Sequence, residues 1–87
     1  MKRLKKIRVV SIMRGVSKKS GVPYTRLVLK GIRDDGTSVV ETFFVSEEVY
    51  QQMVKENIQE DCYISLELSF DDNFRSTITD IFLEEEN

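Results

Sequence analysis

Aromatic and cationic side chains share one stretch of this chain, which runs from Arg14 to Lys30. Its first half is rich in glycine, serine and lysine, a composition typical of an exposed loop. From Tyr24 onward the residues alternate, which predicts a strand that keeps one set of side chains on a single face. That set consists of Tyr24, Arg26, Val28 and Lys30. Rings that stack on bases and cations that neutralise phosphates are what binding to a single-stranded nucleic acid requires.

The candidate nucleic-acid-binding residues extend this set in both directions. We expect Phe43 to add a second ring on the face of Tyr24. Phe74 follows an Asp-Asp-Asn turn, where a ring has little core to enter, which favours an exposed or ligand-binding role. The complete set is Arg14, Lys18, Lys19, Tyr24, Arg26, Lys30, Phe43, Phe74 and Arg75.

Structural interpretations of the same residues stay open at this point. Lys18 and Lys19 also fit ordinary solvated loop charges. Tyr24 also fits a residue at the edge of the core that keeps its hydroxyl in water. Its phase with Arg26 and Lys30 argues against that second interpretation.

Positive and negative charges are segregated along the chain, although the net charge is only −2. Every acidic residue lies in residues 34–87, whereas all cations except Lys55 and Arg75 lie in residues 1–33. This asymmetry favours a polyanion-binding surface in the first part of the chain. The alternative is that basic strands pair with acidic ones, which would aid solubility and the order of strand pairing.

Residue types that catalysis or metal binding would need are scarce. The chain has no histidine and one cysteine, Cys62, which excludes an internal disulfide, a Cys/His zinc site and the common nucleophile–base pairs. We interpret Cys62 as a small buried residue at a strand start. The paired aspartates at 34–35 and 71–72 suit turns, and no phosphate-binding glycine motif is present. We therefore expect no enzyme, no cofactor, no metal and no small-molecule substrate.

The pattern of apolar residues predicts five strands and one helix. The expected strands span residues 5–13, 24–32, 37–45, 61–70 and 74–83, with turns at 34–36 and 71–73. Ser46 is a predicted N-cap, and acidic residues occupy the first turn of a helix that ends near Asn57. Both faces of the third strand carry bulk, so its core side stays open. The fourth strand alternates most clearly, and its predicted inward residues are Cys62, Ile64, Leu66, Leu68 and Phe70.

Three strands, a short helix and two strands follow the element order of the five-stranded Greek-key barrel called the OB fold. We predict a mostly-β, OB-fold-like barrel over residues 1–83, with the helix between strands three and four, and an acidic tail at 84–87. The first strand alternates imperfectly, as expected for a long, curved strand that serves two regions of the sheet. A small sandwich or an open meander with the helix on one face is the alternative.

Length and hydropathy favour one small domain outside the membrane. The chain has 87 residues, of which 40% are hydrophobic and 32% charged, values that fit a globular domain with a modest core. No apolar run approaches the roughly 20 residues of a membrane span, and no signal core follows the basic start. A cytoplasmic location is the expectation.

The chain resembles the filamentous-phage gene V type of helix-destabilising, single-stranded-DNA-binding protein. The resemblance rests on Gly15-Val-Ser-Lys18, on Pro23-Tyr24 leading into the second strand, and on Phe74-Arg-Ser-Thr-Ile-Thr-Asp80 after the last hairpin. Proteins of that type are small OB-fold homodimers. The resemblance therefore implies a homodimer that binds single-stranded DNA.

Individual roles follow from the same resemblance. It implies that Lys18 or Lys19 is a phosphate-binding loop cation, that Tyr24 is a ring at the binding face, and that Arg26 is the next residue on that face. It also implies that Phe74 lies at the tip of a hairpin that reaches the DNA held by the partner subunit. The loop before Tyr24 is one residue longer here than in that type of protein.

Three functional hypotheses result. The first is a non-enzymatic, sequence-tolerant single-stranded-DNA-binding domain of phage or mobile-element replication. The second is an RNA-binding or cold-shock-like OB domain, although the interleaved Gly-Phe motifs of that class are absent. The third is a protein-interaction module whose basic and acidic surfaces pair subunits without nucleic-acid affinity.

Overall fold

A computed structural model of the chain describes residues 2–84, and the side chains of residues 4–84. Five strands and one helix follow in the predicted order. They are β1 (Lys2–Val16), β2 (Pro23–Ile32), β3 (Ser38–Val45), α1 (Glu47–Lys55), β4 (Tyr63–Phe70) and β5 (Ser76–Leu83). The prediction of three strands, a short helix and two strands is confirmed.

The five strands form one antiparallel sheet in the order β3-β2-β1-β4-β5. The long strand β1 pairs with β2 along one half and with β4 along the other, and its register shifts between Leu4 and Ile7 and between Val9 and Ser11. The prediction that the first strand serves two regions is therefore confirmed. The fold is mostly β and the sheet is antiparallel, as predicted. Among the described residues no ladder joins β3 to β5, so the sheet is not closed into the predicted barrel.

One face of the sheet carries the core. Alternation in β2 turns Leu27 and Leu29 inward, and both are buried, as predicted. Helix α1 adds Val49 and Met53 and packs against β5 and β2. The buried cluster also contains Val9, Val45, Ile58, Ile64, Leu66, Leu68, Ile78 and Ile81.

The inward face of β4 is confirmed for Ile64, Leu66 and Leu68 but not for Phe70. Cys62 precedes the strand and is half-buried, so the prediction that it is a buried residue is not confirmed. Phe70 is the last residue of β4, and its side chain is 58% exposed. The strand extends past the end of the core at this point, so the inward phase no longer leads to burial.

The predicted helix cap and first hairpin turn are both present. The Ser46 hydroxyl oxygen accepts a hydrogen bond of 3.2 Å from the Val49 N–H, which satisfies a donor of the first turn. The helix ends at Lys55, slightly before the predicted end. Glu56 is its C-cap, and Asn57 then has a left-handed backbone with φ 57°, at which a helix cannot continue. In the first hairpin, Gly36 has φ 89° and its N–H donates to the Arg33 carbonyl at 2.9 Å.

The predicted acidic tail begins at Glu84, whose N–H donates to the Tyr63 carbonyl at 3.0 Å. Residues 85–87 of that tail lie outside the described residues. In the described part of the chain, no helix has the length and apolar character needed to cross a membrane.

Candidate nucleic-acid interface

The candidate interface is the solvent-facing side of β1, β2 and β3. Residues directly opposite each other in a sheet share a face, and Tyr24 lies opposite Gly15. Arg26 lies between Met13 on β1 and Phe44 on β3. Because β2 sends Thr25, Leu27 and Leu29 to the core, its alternate residues must face solvent, as the sequence predicts.

Tyr24 lies at the loop end of this face and packs over the adjacent glycine. Its side chain is 37% exposed. A β-carbon added at position 15 would lie 2.6 Å from the Cζ atom of the tyrosine ring. Only glycine leaves room for the ring in this position, so the residue type at position 15 fixes how Tyr24 is presented.

The second ring on this face is Phe44, and the prediction that it is Phe43 is wrong. Phe43 lies opposite Leu27 and packs against the core, whereas Phe44 lies opposite Arg26 and is 64% exposed. The rings of Tyr24 and Phe44 meet edge to face, with centroids 5.9 Å apart and planes inclined by 61°. A period-2 pattern cannot choose between adjacent phenylalanines when both faces of the strand carry bulk.

Three cations lie on the same face as the two rings. Arg26 donates from Nη2 to the Met13 sulfur at 3.2 Å. Lys30 lies opposite Arg8, which in turn lies opposite Tyr63 on β4. The Nε atoms of Arg8 and Arg26 have no hydrogen-bond partner within the described part of the chain.

Arg8 was missed by the sequence reasoning, and the irregularity of β1 explains why. The register shift between Val9 and Ser11 interrupts the period-2 phase of the strand. The side of the sheet on which Arg8 lies therefore cannot be counted back from Gly15. Only the pairing of β1 with β2 places Arg8 opposite Lys30.

Arg14 is not brought together with these residues. It lies opposite the buried Thr25, and its Nη1 donates to the Thr25 hydroxyl at 2.6 Å. Both of its terminal nitrogens bond the Glu47 carboxylate at the start of α1, and its guanidinium carbon is 3.9 Å from the centroid of the Tyr50 ring. The hydrogen bond that Arg14 donates to the Glu47 carboxylate raises the pKa of the guanidinium. Arg14 thus joins β1 to the helix, a role that depends on a tertiary contact.

Lys18 and Lys19 are exposed in the loop between β1 and β2, next to the Tyr24 end of the face. The Ser17 N–H donates to the Val22 carbonyl at 2.9 Å, and the Gly21 N–H donates to the Ser17 carbonyl at 2.8 Å. Gly21 has φ 68°, which glycine adopts without strain. The loop is therefore a hydrogen-bonded turn that presents both lysines to solvent.

Phe74 and Arg75 lie in the β4–β5 hairpin, apart from β2 in the sheet. The Phe74 side chain is 87% exposed, and its backbone is left-handed with φ 60°. A groove separates this hairpin from β3, and Phe44 and Phe74 both line it. The structure thus brings Phe74 near the candidate face through β3.

The described part of the chain contains no group of three or more His, Cys, Asp or Glu side chains arranged to hold a metal ion. The site described here consists of rings, cations and a groove. Comparison with protein-family models, curated proteins and solved structures gives no match for this chain.

Proposed function

We propose that this protein is a non-enzymatic single-stranded-DNA-binding domain. The observation that carries the proposal is the exposed pair of rings, Tyr24 and Phe44, on the same solvent-facing side of the sheet as Arg26 and Lys30. Exposed rings are available to stack on unpaired bases, and the cations offer partners for phosphates.

Single strands suit this face better than a duplex. In a duplex the base faces are covered by stacking, so rings on a sheet surface reach them only after the strands separate. A protein that binds the separated form shifts the equilibrium toward it, which is helix destabilisation. Stacking and phosphate neutralisation carry no base code, so binding is broadly tolerant of sequence.

The proposal extends to an OB-type Greek-key fold. Strand order β3-β2-β1-β4-β5 and the helix between β3 and β4 support it, because closure of β3 onto β5 would complete such a barrel. The resemblance to the gene V type of protein supports the same fold, a homodimeric assembly and a role in phage or mobile-element replication. A cytoplasmic location, which the sequence pattern favours, is also part of the proposal.

The first test is a fluorescence titration of a labelled oligo-dT at two salt concentrations, with unlabelled duplex DNA and a matched RNA oligomer as competitors. We expect salt-dependent binding for which duplex DNA is a poor competitor. A plot of log K against log salt concentration should have a slope of roughly −0.7 for each phosphate neutralised. Equal or better competition by RNA would favour the RNA-binding alternative. Absence of binding at low salt would refute the proposal.

One observation favours a protein-interaction module as the second candidate. Apolar side chains on the same face, Met13 and Val40, are exposed together with the rings, and exposed apolar patches also mark protein interfaces. This candidate predicts self-association without nucleic acid that changes with salt. Sedimentation at low and high salt distinguishes the two.

A further inference from the structure

We propose that the groove between β3 and the β4–β5 hairpin is a slot for an unpaired base, and that it favours bases with an exocyclic amino group. The inference rests on the proposed single-strand binding and adds a subsite, an orientation of the strand and a base preference. The groove has a volume of about 790 Å³, and Phe44 and Phe74 of the same chain line it.

Hydrogen bonds of the hairpin hold the backbone of Phe74 in place without help from core packing. The Asp71 Oδ1 atom accepts hydrogen bonds from the Asn73 N–H at 2.8 Å and the Arg75 N–H at 2.9 Å. The Phe74 N–H donates to the Asp71 carbonyl at 3.0 Å. A bulky residue with positive φ is unusual, and a ring that is 87% exposed gains little from burial in the chain itself. These features suit a ring that makes its contacts with a ligand.

The slot continues the platform formed by the two rings on the sheet. Phe44 meets Tyr24 edge to face at 5.9 Å and also lines the groove. A DNA strand whose bases stack on Tyr24 therefore has to pass only the neighbouring ring, Phe44, to reach the groove. Tyr24, Phe44 and Phe74 then contact successive parts of one single strand.

The charges around the groove orient that strand. Glu41 and Asp71 line the groove with one cation, Arg75, whereas Arg26 and Lys30 lie on the adjoining outer face. Two carboxylates repel phosphate at close range. The strand is therefore bound with its phosphates toward the outer face and its base edge directed into the groove.

The same carboxylates select among bases. An ionised carboxylate only accepts hydrogen bonds, and the exocyclic amino groups of cytosine and adenine are donors, whereas thymine presents a carbonyl and a methyl group at the corresponding position. The slot thus adds a modest preference for amino-bearing bases to a surface that otherwise tolerates any sequence.

The experiment measures anisotropy of labelled 12-nucleotide oligo-dC and oligo-dT at neutral pH with the full-length protein. The variants are Phe74→Ala, Glu41→Gln and Tyr24→Ala. Phe70→Ala is the matched control, because Phe70 is an exposed ring of the same hairpin that does not line the groove. Far-UV circular dichroism checks that each variant is folded.

We expect the unmodified protein to bind oligo-dC at least threefold more tightly than oligo-dT. Glu41→Gln should reduce that ratio, because it leaves Asp71 as the one carboxylate that lines the groove among the described residues. Phe74→Ala should weaken oligo-dC binding about fivefold or more, and Phe70→Ala should leave it unchanged. If Tyr24→Ala weakens binding while Phe74→Ala does not, the slot is refuted and the proposed function stands. Equal affinity for the two oligomers refutes the base preference. Absence of binding by the unmodified protein refutes both proposals.

Discussion

The ring of Tyr24 packs against the backbone of Gly15, its direct partner across the β1–β2 ladder. A β-carbon at position 15 would lie 2.6 Å from both the Cζ and the Oη atoms of that ring. These atoms are at the far end of a rotatable side chain, so an added methyl group would displace the ring and leave the strands paired. Gly15 therefore sets the position of a binding residue that lies on another strand.

We predict that Gly15→Ala weakens single-strand binding by about 1 kcal/mol, the lower end of what one stacking ring contributes, with little change in the urea midpoint. Oligo-dT titration and urea denaturation measure the two effects. The control is Gly15→Ala in the Tyr24→Ala background, where it should add nothing. An additive loss there would mean that Gly15 acts independently of the ring.

Adjacent phenylalanines on β3 provide a matched pair. Phe44→Ala should weaken binding by about 1–3 kcal/mol, because it removes an exposed stacking ring, and it should hardly change stability. Phe43→Ala should do the reverse. It removes a ring that packs against the core, and we expect a loss of about 2 kcal/mol in the free energy of unfolding, below the range for fully buried rings.

Both variants are measured by oligomer titration and urea denaturation under the same conditions. The pair tests the observed assignment of faces directly, because the two positions differ by one residue. If Phe43→Ala impaired binding of the folded protein more than Phe44→Ala did, the proposed binding face would be wrong.

Replacement of Arg26 should affect binding, whereas replacement of Arg14 should affect stability. Arg26→Met removes a cation from the proposed face and should reduce the magnitude of the salt slope by about 0.7. Arg14→Met should leave that slope unchanged and lower the urea midpoint, because Arg14 joins β1 to Glu47 and stacks on Tyr50. Methionine keeps much of the apolar stem in both variants, so the comparison isolates the charge. A reduced slope for Arg14→Met would show that it contacts phosphate after all.

Local sequence patterns predict much of this fold. The features that they do not predict depend on contacts between residues far apart in the sequence. Alternation gave the inward faces of β2 and most of β4, and Ser46 and Gly36 marked a cap and a turn, because each of these features depends on near neighbours in sequence. The partner of Arg14 lies 33 residues away at the start of α1. Periodicity within a single strand or helix cannot reveal a contact over that distance.

The candidate site was predictable to the same extent. Tyr24, Arg26 and Lys30 share the outer face of one strand, so their common phase was visible in the sequence. Phe44 required knowledge of which side of β3 meets the core. The groove depends on how the β4–β5 hairpin approaches β3, which is a relation between the two edges of the sheet.

The first hairpin gives a prediction about pH. Thr37 donates to Asp35 Oδ1 from its hydroxyl at 2.6 Å and from its N–H at 2.9 Å. Both hydrogen bonds lower the pKa of the Asp35 carboxyl below its usual value, and the bond from the hydroxyl has the larger effect. Because the folded-state pKa is the lower one, the stability that this carboxylate contributes is present above the unfolded-state pKa. It is lost as the pH falls through the folded-state pKa.

We expect Thr37→Val to move the Asp35 titration midpoint upward, toward its ordinary value, in an NMR titration of the side-chain carboxyl. Thr37→Ser, which keeps the hydroxyl, should leave the midpoint low. Stability of the Thr37→Val protein should accordingly depend less on pH in the acidic range. A midpoint that is the same in all three proteins would show that the hydroxyl does not perturb Asp35.

The position of Phe74 distinguishes two ways of completing the binding surface. The resemblance to the gene V type implies that Phe74 reaches DNA held by the partner subunit, whereas in the structure Phe74 lines a groove together with Phe44 of its own chain. Tyr24→Ala and Phe74→Ala chains, mixed in equal amounts and refolded together, test this relation. If Phe74 serves the partner, a mixed dimer contains one intact surface, formed by Tyr24 of one chain and Phe74 of the other. If it serves its own chain, every surface lacks one ring.

We therefore expect the mixture to bind oligo-dC no more tightly than the two variants measured separately. A fraction of the mixture that binds with the affinity of the unmodified protein would assign Phe74 to the partner's site.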